Sequence, residues 1–120
     1  MRFSLENLRQ VRQVTARWVA MAGLPAERAV DFVIAVHEVA ANAVMHGSAA
    51  ARLALRIATG NAVEAVVRDE GRWRPPALET GAGQNGGMGL PLARKVCDAV
   101  VIQAEDSGTT VILRMRLSGP

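Results

Sequence analysis

Glu38 and Asn42 are the two residues whose types and spacing most directly suggest chemistry. They lie in the stretch His37–Gly47, which reads His-Glu-Val-Ala-Ala-Asn-Ala-Val-Met-His-Gly. Residues at i and i+4 share one face of a helix, and asparagine is unfavourable in a helix interior unless it has a specific role. An amide oxygen can ligate magnesium, and a carboxylate beside it can orient or deprotonate a reacting group. Taken alone, the pair is better explained as a solvated helix face.

Three further stretches carry residue types that suit a nucleotide. Asp69 ends an apolar run and is followed by Gly71, so its carboxylate can accept a hydrogen bond from an exocyclic amino group such as that of adenine. Gly87–Leu90 precedes a helical pattern, and backbone N–H groups at a helix start bind anions. Gly108–Thr110 opens the last apolar run. Each stretch alone is also explained by an ordinary turn or flexible loop.

Two helices are predicted in the first part of the chain. Apolar residues at helical spacing predict a helix over Leu5–Ala22, with Ser4 as its N-cap and Gly23 as its stop. A second helix is predicted over Ala26–His46, where neither glycine nor proline occurs.

The second helix is the one that carries the polar pair. One arc of its helical wheel is apolar, and we expect Glu38 and Asn42 on roughly the opposite arc, away from the core. The apolar arc consists of Val33, Val36, Ala40, Ala43 and Val44.

The rest of the chain alternates in the manner of strands. Arg52–Thr59 and Ala62–Asp69 predict one hairpin, and Ala99–Ala104 and Thr109–Leu117 predict another. A third helix is predicted between them, over Leu90–Asp98. This order predicts an α+β two-layer sandwich with a mostly antiparallel mixed sheet and the helices on one face.

Composition limits the class of protein. The chain has 120 residues, of which 50% are hydrophobic and 21% charged, so we expect one globular domain over residues 1–120. It has no apolar run of the ~20 residues that cross a bilayer, no secretory signal, and one cysteine, Cys97, which we expect to be buried and unreactive. These features predict a cytoplasmic protein without a membrane segment.

The charge pattern argues against nucleic acid as a partner. The net charge is +3, and thirteen of the fourteen basic residues are arginine. They are scattered between Arg2 and Arg116, without the aromatic residues that stack on bases.

In this order, the four stretches resemble the nucleotide boxes of the histidine kinase-like ATPases, the superfamily of gyrase, Hsp90-type chaperones and sensor kinases. Glu38–Asn42 resembles the N box, and Asp69–Gly71, Gly87–Leu90 and Gly108–Thr110 resemble the three glycine boxes. The form of the first stretch and the short lid are most similar to the bacterial anti-sigma factor/serine-protein kinases. The fold implied is the Bergerat-type ATP-binding fold.

The resemblance implies that the chain binds ATP and magnesium. It makes Asn42 the magnesium ligand and Glu38 the general base on the attacking hydroxyl. Asp69 would contact the adenine amino group, for which Gly71 leaves room, and Thr110 would support the adenine end. The phosphates would be held by Gly87, Met88, Gly89 and Leu90, under a lid formed by about residues 72–88.

The resemblance also implies partners. Proteins of this type sequester a sigma factor and phosphorylate a serine on an anti-anti-sigma protein, and they commonly form homodimers. Relatives usually begin with a strand, for which only Met1–Phe3 are left here. Two alternatives stay open: a nucleotide-binding regulator without phosphotransfer, and the ATPase domain of a sensor histidine kinase. The latter needs an acceptor histidine elsewhere, because His37 adjoins Glu38 on the nucleotide helix.

Overall fold

The computed structural model describes residues 1–47, 50–70 and 89–118. In chain order, the strands are β1 (Arg2–Ser4), β2 (Ala50–Ala58), β3 (Ala62–Asp69), β4 (Ala99–Glu105) and β5 (Gly108–Arg116). The α-helices are α1 (Leu8–Ala22), α2 (Ala26–Asn42) and α3 (Gly89–Val96).

The five strands form one sheet in the order β1-β2-β3-β5-β4, and all four pairings are antiparallel. Two of these pairings, β2 with β3 and β4 with β5, are the predicted hairpins. The first residues of the chain do supply a strand, because Arg2–Ser4 pair with Ala50–Arg52. The predicted α+β fold is confirmed.

Side chains alternate between the two faces of the sheet. Leu53, Val67 and Val111 are aligned across three strands, and each is at most 3% exposed. They face the layer of helices, in which α2 lies between α1 and α3 and also contacts β3 and β5. No described helix covers the opposite face, which we call the outer face.

Helix α1 starts three residues later than predicted. Leu5–Asn7 form a 3₁₀ turn, since the Oδ1 atom of Asn7 accepts hydrogen bonds from the backbone N of Ser4 at 3.1 Å and from its Oγ at 3.0 Å. The helix ends as predicted at Gly23, whose φ of +99° is the left-handed conformation that favours glycine. Its buried residues are Val11, Thr15 and Val19.

Helix α2 ends earlier than predicted. Its α-helical hydrogen bonding stops at Asn42, and the last predicted turn is a π-helical segment, Ala43–Gly47. Among the described residues, no helix is both long and apolar enough to cross a bilayer.

Candidate functional site

Asn42 is the last residue of α2 and is half-buried. Its Nδ2 atom is buried and has no hydrogen-bond partner among the residues that the structure describes. A buried amide donor without a partner costs free energy, so such a group calls for an explanation. A ligand with oxygen acceptors, such as a phosphate, could accept a hydrogen bond from Nδ2. The amide oxygen of the same side chain suits a magnesium ion.

The π-helical segment follows Asn42 directly. Short π-helical stretches are rare and often occur at functional sites. The segment contacts β2 and β3, so the end of α2 lies against these strands.

Glu38 lies one turn before Asn42 and is also half-buried. The prediction places the pair opposite the core, and the structure shows both residues half-buried rather than fully exposed. Ala35 and Val39, which are fully or almost fully buried, are its neighbours on the same side of the helix. The pair therefore borders the core, because α2 is the central helix of its layer and is covered on both flanks. Its buried residues are Phe32, Ala35, Val36, Val39 and Ala40.

His37 precedes Glu38 and is not among the site residues predicted from the sequence. Its Nδ1 atom is buried without a hydrogen-bond partner within the described part of the chain. Burial lowers the pKa of His37, as does the positive charge of Arg12, while Glu38 opposes the shift. The imidazole beside Glu38 is therefore kept neutral at physiological pH.

Asp69 is the last residue of β3, and only 2% of it is exposed. It pairs across the sheet with Thr109, which is equally buried, and both face the helices. Gly108 packs against the backbone of Asp69. A Cβ atom at Gly108 would overlap the Asp69 carbonyl oxygen and lie 2.9 Å from the Cα atom of Glu70, and φ is +146°. The start of β5 thus fixes the position of Asp69.

Thr110 lies on the outer face, on the other side of the sheet from Asp69. Its Oγ1 atom accepts a hydrogen bond from Nη1 of Arg68 at 2.8 Å. The structure therefore places Thr109, and not Thr110, beside Asp69. The sequence alone does not distinguish two consecutive threonines, but the pairing of Asp69 with Thr109 does.

The end of α2 and the start of α3 lie toward the same end of the sheet. Asp98 lies just after the end of α3. Arg28, in the first turn of α2, donates from Nη2 to Oδ2 of Asp98 at 3.1 Å. The backbone N of Asp98 donates to the carbonyl oxygen of Arg114, near the end of β5. The end of α2 at Asn42 and the start of α3 therefore both lie toward the end of the sheet at which β3 ends with Asp69 and β5 begins with Gly108.

Part of the predicted site cannot be placed in this way. Gly89 and Leu90 form the start of α3. Gly71, Gly87, Met88 and the lid over about residues 72–88 lie outside the described residues. The described part of the predicted site therefore lies toward one end of the sheet: the end of α2, the end of β3 at Asp69, the start of β5 and the start of α3.

The chain matches a family of known proteins and several solved structures. Residues 1–115 match the family model described as the histidine kinase-like ATPase domain. The whole chain superposes on 33% of the chain in the crystal structure of the RsbU and RsbW domains of Rv1364c from Mycobacterium tuberculosis, with 27% identity and a TM-score of 0.73.

Two structures of the Erythrobacter litoralis EL346 blue-light activated histidine kinase share the fold. One, of the histidine kinase domain, has 23% identity and a TM-score of 0.63, and the match covers 78% of this chain and 49% of that one. The other has 24% identity and a TM-score of 0.65, with 79% and 32% covered. The chain thus spans about a third to a half of the length of these three chains.

Proposed function

This chain belongs to the histidine kinase-like ATPase domain family, and from that premise we propose an ATP-dependent regulatory protein that sequesters a sigma factor and phosphorylates a serine on an anti-anti-sigma partner. The predicted membership of this superfamily, with relatives of the anti-sigma kinase type, is confirmed. The single observation that carries the proposal is the buried Nδ2 atom of Asn42 at the end of α2, which has no partner among the described residues and supports the nucleotide-binding part of the proposal.

Binding of ATP rests on residues from three elements. Asn42 would ligate magnesium through its amide oxygen and donate from Nδ2 to a phosphate oxygen. Magnesium, when bound, neutralises phosphate charge and aligns the phosphates for transfer. The start of α3, with Gly89 and Leu90, would hold phosphate oxygens, and the buried carboxylate of Asp69 would accept a hydrogen bond from the adenine amino group.

Thr109 joins this proposal in place of Thr110. It lies directly opposite Asp69 on the helix-facing side of the sheet. Thr109 would therefore support the adenine end of the nucleotide, the role that the resemblance implies for Thr110. Gly71, Gly87 and Met88 keep their proposed roles beside the base and the phosphates.

Phosphotransfer rests on Glu38. It lies one helical turn from Asn42, so this carboxylate and the proposed magnesium ligand share one side of α2. Glu38 would take the proton of the partner's serine hydroxyl while the serine oxygen forms a bond to the γ-phosphorus. The bond from that phosphorus to the β–γ bridging oxygen breaks, and ADP leaves with the electron pair.

The test is incubation of the full chain with radiolabelled ATP, magnesium and a candidate anti-anti-sigma protein. Stable phosphoserine on the partner is expected with the wild type. The variant Glu38→Ala should still bind ATP but lose the transfer, whereas Asn42→Ala should lose both. Bound ATP without phosphate on any partner would instead support the nucleotide-binding regulator, and acid-labile phosphohistidine the sensor kinase domain.

A further inference from the structure

Three arginines line up across the outer face of the sheet. Arg2 on β1 pairs with Arg52 on β2, which pairs with Arg68 on β3. We call these three residues the arginine row. Like charges that lie directly opposite one another on neighbouring strands are destabilising. A row of three therefore favours the binding of a compensating anion.

Within the described part of the chain, no carboxylate forms an ion pair with the arginine row. Among the described residues, Arg68 donates to two neutral hydroxyl groups, to Thr110 Oγ1 at 2.8 Å and to Ser107 Oγ at 3.1 Å. These bonds fix its guanidinium without neutralising it.

A second basic row on the same face shows the contrast. Arg56 and Arg114 flank Glu64, whose carboxylate oxygens lie 2.8 Å from Nε of Arg56 and 3.3 Å from Nη1 of Arg114. The fold thus pairs one carboxylate with two arginines here. Glu70 lines the cleft at the end of the arginine row, but it forms no ion pair with that row among the described residues.

An apolar strip separates the two rows. It crosses four strands and is partly open to solvent, with Val101 45% exposed. The strip consists of Ala54, Val66, Ile112 and Val101. Four strands span roughly 14 Å, and neighbouring rows lie roughly 7 Å apart.

These dimensions and charges suit a helix laid across the strands. A helix is about 10–12 Å wide, and roughly ten residues of it would cover the strip. We infer that the outer face docks an amphipathic helix of a partner protein, with its apolar stripe on the strip and its acidic residues on the arginine row.

A cleft at the end of the arginine row provides room for one of these acidic groups. Its volume is about 90 Å³, and it is lined by Arg2, Ala50, Ala51, Arg52, Arg68 and Glu70. Arginine binds carboxylates with two parallel hydrogen bonds, which favours an acidic side chain at this place.

Two other occupants fit the outer face less well. Nucleic acid would match the arginines but leave the apolar strip uncovered, and the described aromatic residues, Phe3, Trp18 and Phe32, lie elsewhere and offer no stacking surface on this face. A second copy of the chain would bring one basic face against another.

The test uses the full chain and a labelled helical peptide of three heptads, with leucine at positions a and d and glutamate at e and g. Fluorescence anisotropy should show saturable binding that weakens as salt is added. The double variant Arg52→Glu/Arg68→Glu should weaken binding by about tenfold or more. Val101→Ser, at the exposed end of the strip, should weaken it by about threefold.

The matched control carries the same charge change on the helix layer, Arg9→Glu/Arg17→Glu, and should bind within about twofold of the wild type. Circular dichroism and thermal melting check that each variant is folded. Equal affinity of the two double variants, or equal binding of a scrambled peptide, overturns the inference. Tighter binding of a DNA duplex, or self-association lost in Arg52→Glu/Arg68→Glu, would overturn it in favour of nucleic acid or a second copy.

Discussion

Replacement of Gly108 by alanine tests whether the start of β5 positions Asp69. The added Cβ atom would overlap the Asp69 carbonyl oxygen, so β3 and β5 must move apart at the site. Gly23 provides the matched control. It also has a positive φ, +99°, but nothing lies within 4 Å of its added Cβ atom.

Both substitutions therefore force alanine to adopt a positive φ, and only Gly108→Ala adds a clash. A non-glycine residue in the left-handed region costs about 1–2 kcal/mol, which is what we expect for Gly23→Ala. Overpacking in a well-packed place typically adds about 1–3 kcal/mol, so Gly108→Ala should lose about 2–5 kcal/mol of unfolding free energy. For a domain of this size, each kcal/mol lowers the thermal midpoint by about 4 °C.

The assay has two measurements, urea unfolding and titration with a fluorescent ATP analogue. Gly108→Ala should weaken nucleotide binding by about tenfold or more, because Asp69 moves, whereas Gly23→Ala should leave the affinity unchanged. Equal destabilisation by both variants, or normal nucleotide affinity in Gly108→Ala, would refute the idea that close packing at Gly108 positions Asp69.

Four further predictions address single side chains. Asn42→Asp or Asn42→Ala should abolish magnesium-dependent nucleotide binding in calorimetry, and unchanged affinity would remove Asn42 from the site. Asp69→Asn should weaken discrimination for adenine, a role that equal binding of ATP and GTP by the wild type would contradict. Because the pKa of His37 is lowered from 6.5 in the folded state, the unfolded chain takes up the proton first. Stability should therefore fall as the pH drops below 6.5, and His37→Gln should reduce that fall in melting experiments. Burial, with help from Asp98 and Asp31, raises the pKa of Cys97 to about 12, so a thiol reagent at pH 8 should label it only in denaturant; labelling of the native protein would contradict its burial.

The elements of the fold were predictable because their signals are local. The spacing of Val11, Thr15 and Val19 predicts α1, and these residues are the buried ones. Cys97 is buried, as its apolar character predicts. The start of α1 was misplaced because the side chain of Asn7 turns back to Ser4 and stabilises a 3₁₀ turn instead.

The site was less predictable because it depends on neighbours that a single helix does not reveal. A wheel of α2 gives one apolar arc, but α1 and α3 cover both flanks, so Ala35 and Val39 are buried beside Glu38. The choice between Thr109 and Thr110 depends on the register of β5 against β3, to which the sequence of β5 alone gives no access.

The strand order has a consequence for how the site forms. Each hairpin closes over a short turn, but β3 and β5 must meet across the long interval between Asp69 and Gly108. Non-local pairing of this kind is slow, because loop-closure entropy is lost before the contacts form. The Asp69–Thr109 edge is therefore expected to assemble late in folding, after the separate hairpins. A ligand held at this site binds only the completed domain. At a free ligand concentration of a hundred times the dissociation constant, it would add about 2.7 kcal/mol to the free energy of unfolding.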